Sequence, residues 1–443
     1  MARRRTPGNS RSRATQRGAA LIIVLGLVAT AIGTAIFTFA SPASSALERE
    51  RITQAALGQA KAALIAFALR GESGAGSGNA GTSSFPPNDR PGQFPCPDTD
   101  DDGVRNVTGA NCTRYIGRLP WRTLGLPDLR DGSGERLWYA LSPAYRASTA
   151  APPTVPAINS DSVGSLTLHG ADGTTVVRTR LVATIIAPGT TIAAQVRDAT
   201  TMNCAEIAAP AIARRLCPNQ YMEALGTANN ANPIGPFASG APSETFNDRL
   251  AVVDLDDFMP QLELRVANLV RAQLATFRSG NGYYPFAAAY DDASGNCARN
   301  VTRGRIPDLV PTPVTPAPPT APYLACNPSA GGVNWPGSLP LWFSQNLWSR
   351  SIYYAVAPGF AEGGGQSCAG GCLTAGANPA VGAVFLMPGS PTGGQSRTGA
   401  ANQVLTNYLE DAENVDGWSV GANDLYASPA STARNRDRIY TLP

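Results

Sequence analysis

The chain has 443 residues, a formal net charge of +3, eight cysteines and only 15% charged side chains. That length is enough for two domains, and the absence of a basic patch interleaved with aromatics argues against a nucleic-acid partner. With 45 Gly and 37 Pro, many loops and modest helical content are expected.

The first element is a basic segment with arginines at 3, 4, 5, 11, 13 and 17 and no acid before Glu48. It runs directly into residues 19–40, an uncharged apolar stretch that as a helix is long enough to cross a bilayer's hydrocarbon core. The charge asymmetry predicts a cytoplasmic N-terminus, a single pass of the inner membrane and a periplasmic remainder. A cleaved signal peptide is the alternative. Ser41-Pro42-Ala43 offers small residues for cleavage, although the apolar run is longer than a usual signal core.

Gln16-Arg17-Gly18 sits directly against the apolar run. A short basic leader ending in Gly, followed at once by an uncharged helix, resembles the class III leader of type IV pilins and pseudopilins. The resemblance implies cutting by a prepilin peptidase between Gly18 and Ala19, methylation of the new N-terminus, and packing against other pilins or pseudopilins through the helix. The fifth residue after that cut is Ile23, where the family usually has Glu. That departure implies a minor component, similar to the large tip pseudopilin of type II secretion. The resemblance is specific over about the first 70 residues and architectural beyond them.

Residues 47–70 continue as helix, with Leu57, Lys61, Leu64 and Ala68 at helical spacing and Arg70-Gly71 as the stop. Pro42 predicts a kink or break before it. Residues 72–89, rich in Gly, Ser and Asn, read as a loop. Residues 94–103, FPCPDTDDDG, place Asp98, Asp100 and Asp102 at alternate positions before Gly103. This is the opening of a calcium loop, since hard calcium takes several oxygens on a flexible turn. The twelfth position is Gly109, so a full EF-hand loop is absent, and an acidic solvated turn is the alternative.

Residues 131–141 read as a turn feeding an aromatic strand, loosely similar to the Asp-Pro-Trp-Gly-x-x-Tyr segment of pseudopilin heads. Residues 147–156 read as a linker. Residues 165–177 read as a hairpin turning at 170–173, and residues 181–186 as one buried strand.

Several segments of the first half recur in order in the second. GRIP at 304–307 matches GRLP at 117–120, and YYAVAP at 353–358 matches WYALSP at 138–143. GAVFLMPG at 382–389 matches VATIIAPG at 182–189, NYLE at 407–410 matches QYME at 220–223, and Arg438-Ile matches Arg249-Leu. Residues 262–279 supply a second helix. The expected fold class is α+β: a leader at 1–18, a transmembrane or filament-core helix at 19–41, and two repeated helix-plus-antiparallel-sheet units at 42–260 and 261–443.

All eight cysteines lie beyond the membrane segment, which favours disulfides in an oxidising compartment. Of 105 connectivities the nearest-neighbour set is preferred: Cys96–Cys112, Cys204–Cys217, Cys297–Cys326 and Cys368–Cys372. A metal at Cys368 and Cys372 is the alternative, without a second pair or His to complete it. The proline-rich stretch at 312–322 and the Gly-rich residues 363–371 are candidate contact loops.

His169 is the sole histidine, expected as an exposed turn residue. Glu135, Glu223, Glu263 and Glu410 read as isolated surface acids. No HExxH, GxSxG or phosphate-binding loop occurs, so no enzyme is expected. The sequence therefore points to a minor pilin-like structural subunit of a type IV pilus or type II secretion system. The alternative is a membrane-anchored, calcium-dependent binding or adhesion protein outside any filament.

Overall fold

A computed structural model describes residues 42–70, 90–148, 155–192, 194–289, 298–307, 339–397, 404–418, 423–427 and 436–443. The leader with Gly18 and Ala19, the apolar run up to residue 41, the loop 72–89, Cys297, Cys326 and the proline-rich stretch 312–322 lie outside these residues.

Helix α1 (Pro42–Arg70) is 29 residues long. Ala56, Leu57, Ala60, Leu64, Phe67 and Ala68 are buried and recur every three or four residues, so they form one stripe. Its first turns stand clear: Leu47 is 73% exposed. By length and composition Ser45–Arg70 also suits a membrane span. Only part of that apolar surface is covered by the rest of the chain: the stripe above is buried, whereas Leu47 and Ile52 are exposed.

The surface that covers them is an antiparallel sheet of β1 (Ile116–Arg118), β2 (Trp138–Leu141), β3 (Ala183–Ala187) and β4 (Arg249–Val253). Its order is β4-β3-β2-β1, and α1 packs on β3 and β4. The single strand expected over residues 181–186 is broken. The Val182 N–H donates to the Val253 carbonyl, and its own carbonyl accepts from Ser142, which bends the chain from an outer ribbon into β3.

Helix α2 (Leu255–Asn281) starts upstream of the expected residue 262, because Asp254 and Asp257 form a reciprocal cap there. It ends at Gly282, whose left-handed φ of 80° suits a residue without Cβ. A second sheet follows, made of β5 (Ala287–Ala288), β6 (Ala298–Val301), β7 (Arg303–Arg305), β8 (Tyr353–Val356), β9 (Ala383–Met387) and β10 (Arg438–Leu442). Its order is β6-β5-β7-β8-β9-β10.

The run β7 to β10 repeats β1 to β4 in order and in register. Gly117 faces Tyr139 as Gly304 faces Tyr354. Trp138 faces Ile186 as Tyr353 faces Leu386. Ala187 faces Arg249 as Met387 faces Arg438. Each helix is tied to the last strand of its sheet by an equivalent ion pair, Glu50 to Arg249 and Glu263 to Arg438, both at 3.2 Å. Each main sheet carries a small satellite sheet with one parallel pair, which the all-antiparallel expectation did not include.

The two helices touch, and one continuous hydrophobic core contains residues from both units. Lys61 pairs with Asp257 across the helices at 2.8 Å. Asn346 of the second unit clasps the first, accepting from Arg90 and from the Ile158 N–H and receiving the Asn159 amide on its carbonyl. The cystines Cys96–Cys112, Cys204–Cys217 and Cys368–Cys372 are formed as preferred.

Gly117 and Gly304 are equivalent, and at each a Cβ would run into a neighbouring backbone carbonyl, that of Asp98 or of Ala288. Gly117→Ala and Gly304→Ala are each expected to cost ~1–3 kcal/mol in urea unfolding. A neutral outcome at either would mean that nothing lies over that strand.

Candidate cation-binding loop and a duplicated polar cluster

The acidic run at 98–102 is anchored on the edge of the first sheet. The Asp98 backbone exchanges hydrogen bonds with Arg118 of β1, at 3.0 and 2.6 Å, and the Cys96–Cys112 bridge closes the loop around it. The Asp98 side chain is buried. Its Oδ1 accepts the N–H groups of Asp100 and Asp101, and its Oδ2 accepts that of Gly103 at 2.7 Å. Gly103 has φ 86°, and a Cβ there would meet the Trp121 indole at 2.6 Å, so the turn requires glycine.

The four carboxylates divide into two groups. Asp101, at φ 71°, turns toward Arg136 at 2.9 Å, with Arg118 and Arg215 at 3.7 Å. Asp98, Asp100 and Asp102 remain together, each with a carboxylate oxygen within 4.8 Å of the others. Asn106 braces them, donating to Asp100 and accepting from the Thr99 N–H. Burial pushes the Asp98 carboxyl up to about 6, against the pull of the Gly103 and Asp101 N–H groups. An all-oxygen donor set on a glycine turn suits a hard divalent cation, but Gly109 stands where a bidentate carboxylate would close the shell.

A second constellation occurs twice. In the first unit Gln195 donates to Glu223 at 2.6 Å, Arg197 reaches the carbonyls of Gly189 and Gln220 and lies 4.5 Å over the Tyr221 ring, and Asp248 accepts from the Glu223 N–H and from Asn230. In the second, Gln395 donates to Glu410 at 2.9 Å, Arg397 reaches Gly389 and Asn407 and lies 4.6 Å over Tyr408, and Asp437 accepts from the Glu410 N–H and from Asn414. The expectation of surface acids fails here. Glu223 is buried by its hydrogen bonds, and Glu263 is buried against Arg438, with its carboxyl pushed up to about 7 by burial. The Tyr-x-Glu ends of these clusters are legible as a repeat. The other ends were missed, although Pro-Gly-x5-Gln-x-Arg stands at both 188–197 and 388–397.

His169 is buried, not exposed. It ends the strand Leu166–His169, and its Nδ1 donates to the Gly173 carbonyl at 2.9 Å, so the ring closes the hairpin. Cys204, Glu206 and Cys217 also lie close together, with both sulfurs in the disulfide.

No family model, no curated protein and no solved structure matches the chain.

Calcium at about 1 mM, the range of weak extracellular sites, is expected to raise the thermal midpoint, with loss of the effect below about pH 6 as Asp98 takes up its proton. Calorimetry with calcium and with chelator, on the parent chain and on the Asp100→Asn/Asp102→Asn variant, checks this. Equal midpoints for the parent chain in both solutions would remove the site.

Proposed function

We propose that this protein is a minor pilin-like or pseudopilin-like structural subunit, held in the bacterial inner membrane by residues 19–40 and assembled through that helix with other pilins or pseudopilins. The supporting observation is the geometry of α1. Its buried stripe begins near Thr53 and runs to Ala68, while residues 45–49, toward the apolar run, are exposed. A helix seated by one half on a sheet and leading at the other end into an uncharged segment suits an element that passes from lipid into a bundle of like helices. Lateral packing in either setting needs no water-filled contact. The absence of Glu at position 23 suits a subunit with no neighbour above it to engage, such as one at a filament tip.

A second reading, a membrane-anchored calcium-dependent binding or adhesion protein, is favoured by the three-carboxylate loop alone. The two readings differ at the mature N-terminus. Mass spectrometry of protein from cells with an active prepilin peptidase is expected to find a methylated N-terminus at Ala19. An intact Met1 to Gly18 leader would overturn the filament reading and leave the second.

A further inference from the structure

In each unit an aspartate and a glutamate from separate segments meet beside the start of the last strand. Asp248 is fully buried. Its Oδ2 accepts from the Glu223 N–H at 3.0 Å and from Asn230 at 2.8 Å, whereas its buried Oδ1 has no donor among the described residues. The Glu223 carboxylate is already served, by Gln195 at 2.6 Å and by the Asn247 N–H at 3.0 Å. Asp437 sits in a related cluster, but both of its oxygens have donors: Oδ1 accepts the Glu410 N–H at 3.3 Å, and Oδ2 accepts the Asp411 N–H at 3.3 Å and the Asn414 amide at 2.9 Å.

We propose that the first unit stores one proton between the Asp248 and Glu223 carboxyls, carried by Asp248 and donated to Glu223, so that this unit is clasped by a proton that alkali removes. The proton gives the Oδ1 of Asp248 the role its surroundings lack: it becomes the donor. The second unit repeats the residue types without the orphaned oxygen, so the proton is assigned to Asp248 alone.

The charged groups nearby are engaged elsewhere. Arg197 pairs with Glu135, and Arg249 turns to Glu50. Arg397 pairs with Asp161, Arg436 with Asp256 and Arg438 with Glu263. Burial, reinforced by the neighbouring glutamate, pushes Asp248 well above the ordinary carboxylate range and Asp437 to about 7, and burial also raises Glu223. The folded state thus binds the Asp248 proton more tightly than the unfolded chain, where Asp titrates at about 3.9. The stabilisation is complete below that unfolded value and is lost as pH rises through the folded one.

Urea unfolding of the full chain in detergent across about pH 5 to 8 tests this. The parent protein is expected to lose stability as pH rises. Asp98, Asp161, Glu263 and Asp437 are raised in the same way, so the assignment rests on Asp248→Asn, whose amide supplies a permanent donor at the Oδ1 position. That variant should show a visibly shallower pH slope and hold its own against the parent at the alkaline end. An unchanged slope would overturn the proposal. If the variant does not fold, infrared spectroscopy of the parent with isotope-labelled aspartate decides. A protonated aspartate carboxyl band at neutral pH supports the proposal, and its absence overturns it.

Discussion

A helix with a single apolar stripe is stable in water only when that stripe is covered, because propensity alone rarely holds it. In this protein the covering of Leu57, Ala60, Leu64 and Ala68 of α1 by the first sheet and its neighbours is the contact from which the rest follows. It fixes which face of α1 is inside and so which turns are left standing toward the N-terminus. The Glu50–Arg249 pair then sets the helix against the last strand, and the Asn346 clasp brings the second unit onto the first.

The second unit solves the same packing problem with the same parts. Its helix is of similar length, 27 residues against the 29 described for α1, and starts on a polar cap with buried residues from Leu255 to Phe277. The two units differ at one sheet edge. Where the first has the Asp98 loop bridged to Arg118, the second has β5 bridged to Arg305 and a further strand beyond it. An acidic loop in one unit and extra strands in the other are alternative ways to finish an exposed edge.

Much of this was legible in the residues. The period of α1 gave its buried face, and the GR and YA strings of the two halves marked strands that do pair in equivalent register. The unread part is polar. Glu263 reads as a surface acid in the sequence because nothing local marks its partner, Arg438, which lies far along the chain. His169 reads as a turn residue in the sequence, but it is the last residue of a strand and is buried. The break at Val182 depends on hydrogen bonds to Ser142 and Val253, which no alternation of side chains announces. The Gln-x-Arg ends of the duplicated clusters were readable from spacing but carry no apolar period, the signal on which strand and helix assignment leans.

On the proposed function, the N-terminal apolar run is a docking element shared with like subunits, continuous in role with the exposed start of α1. In-cell photocrosslinking from Val28 tests it most directly. The account expects a crosslinked product containing another subunit with a basic, Gly-terminated leader and an apolar N-terminal helix. Products confined to lipid in cells that are assembling filaments would contradict it.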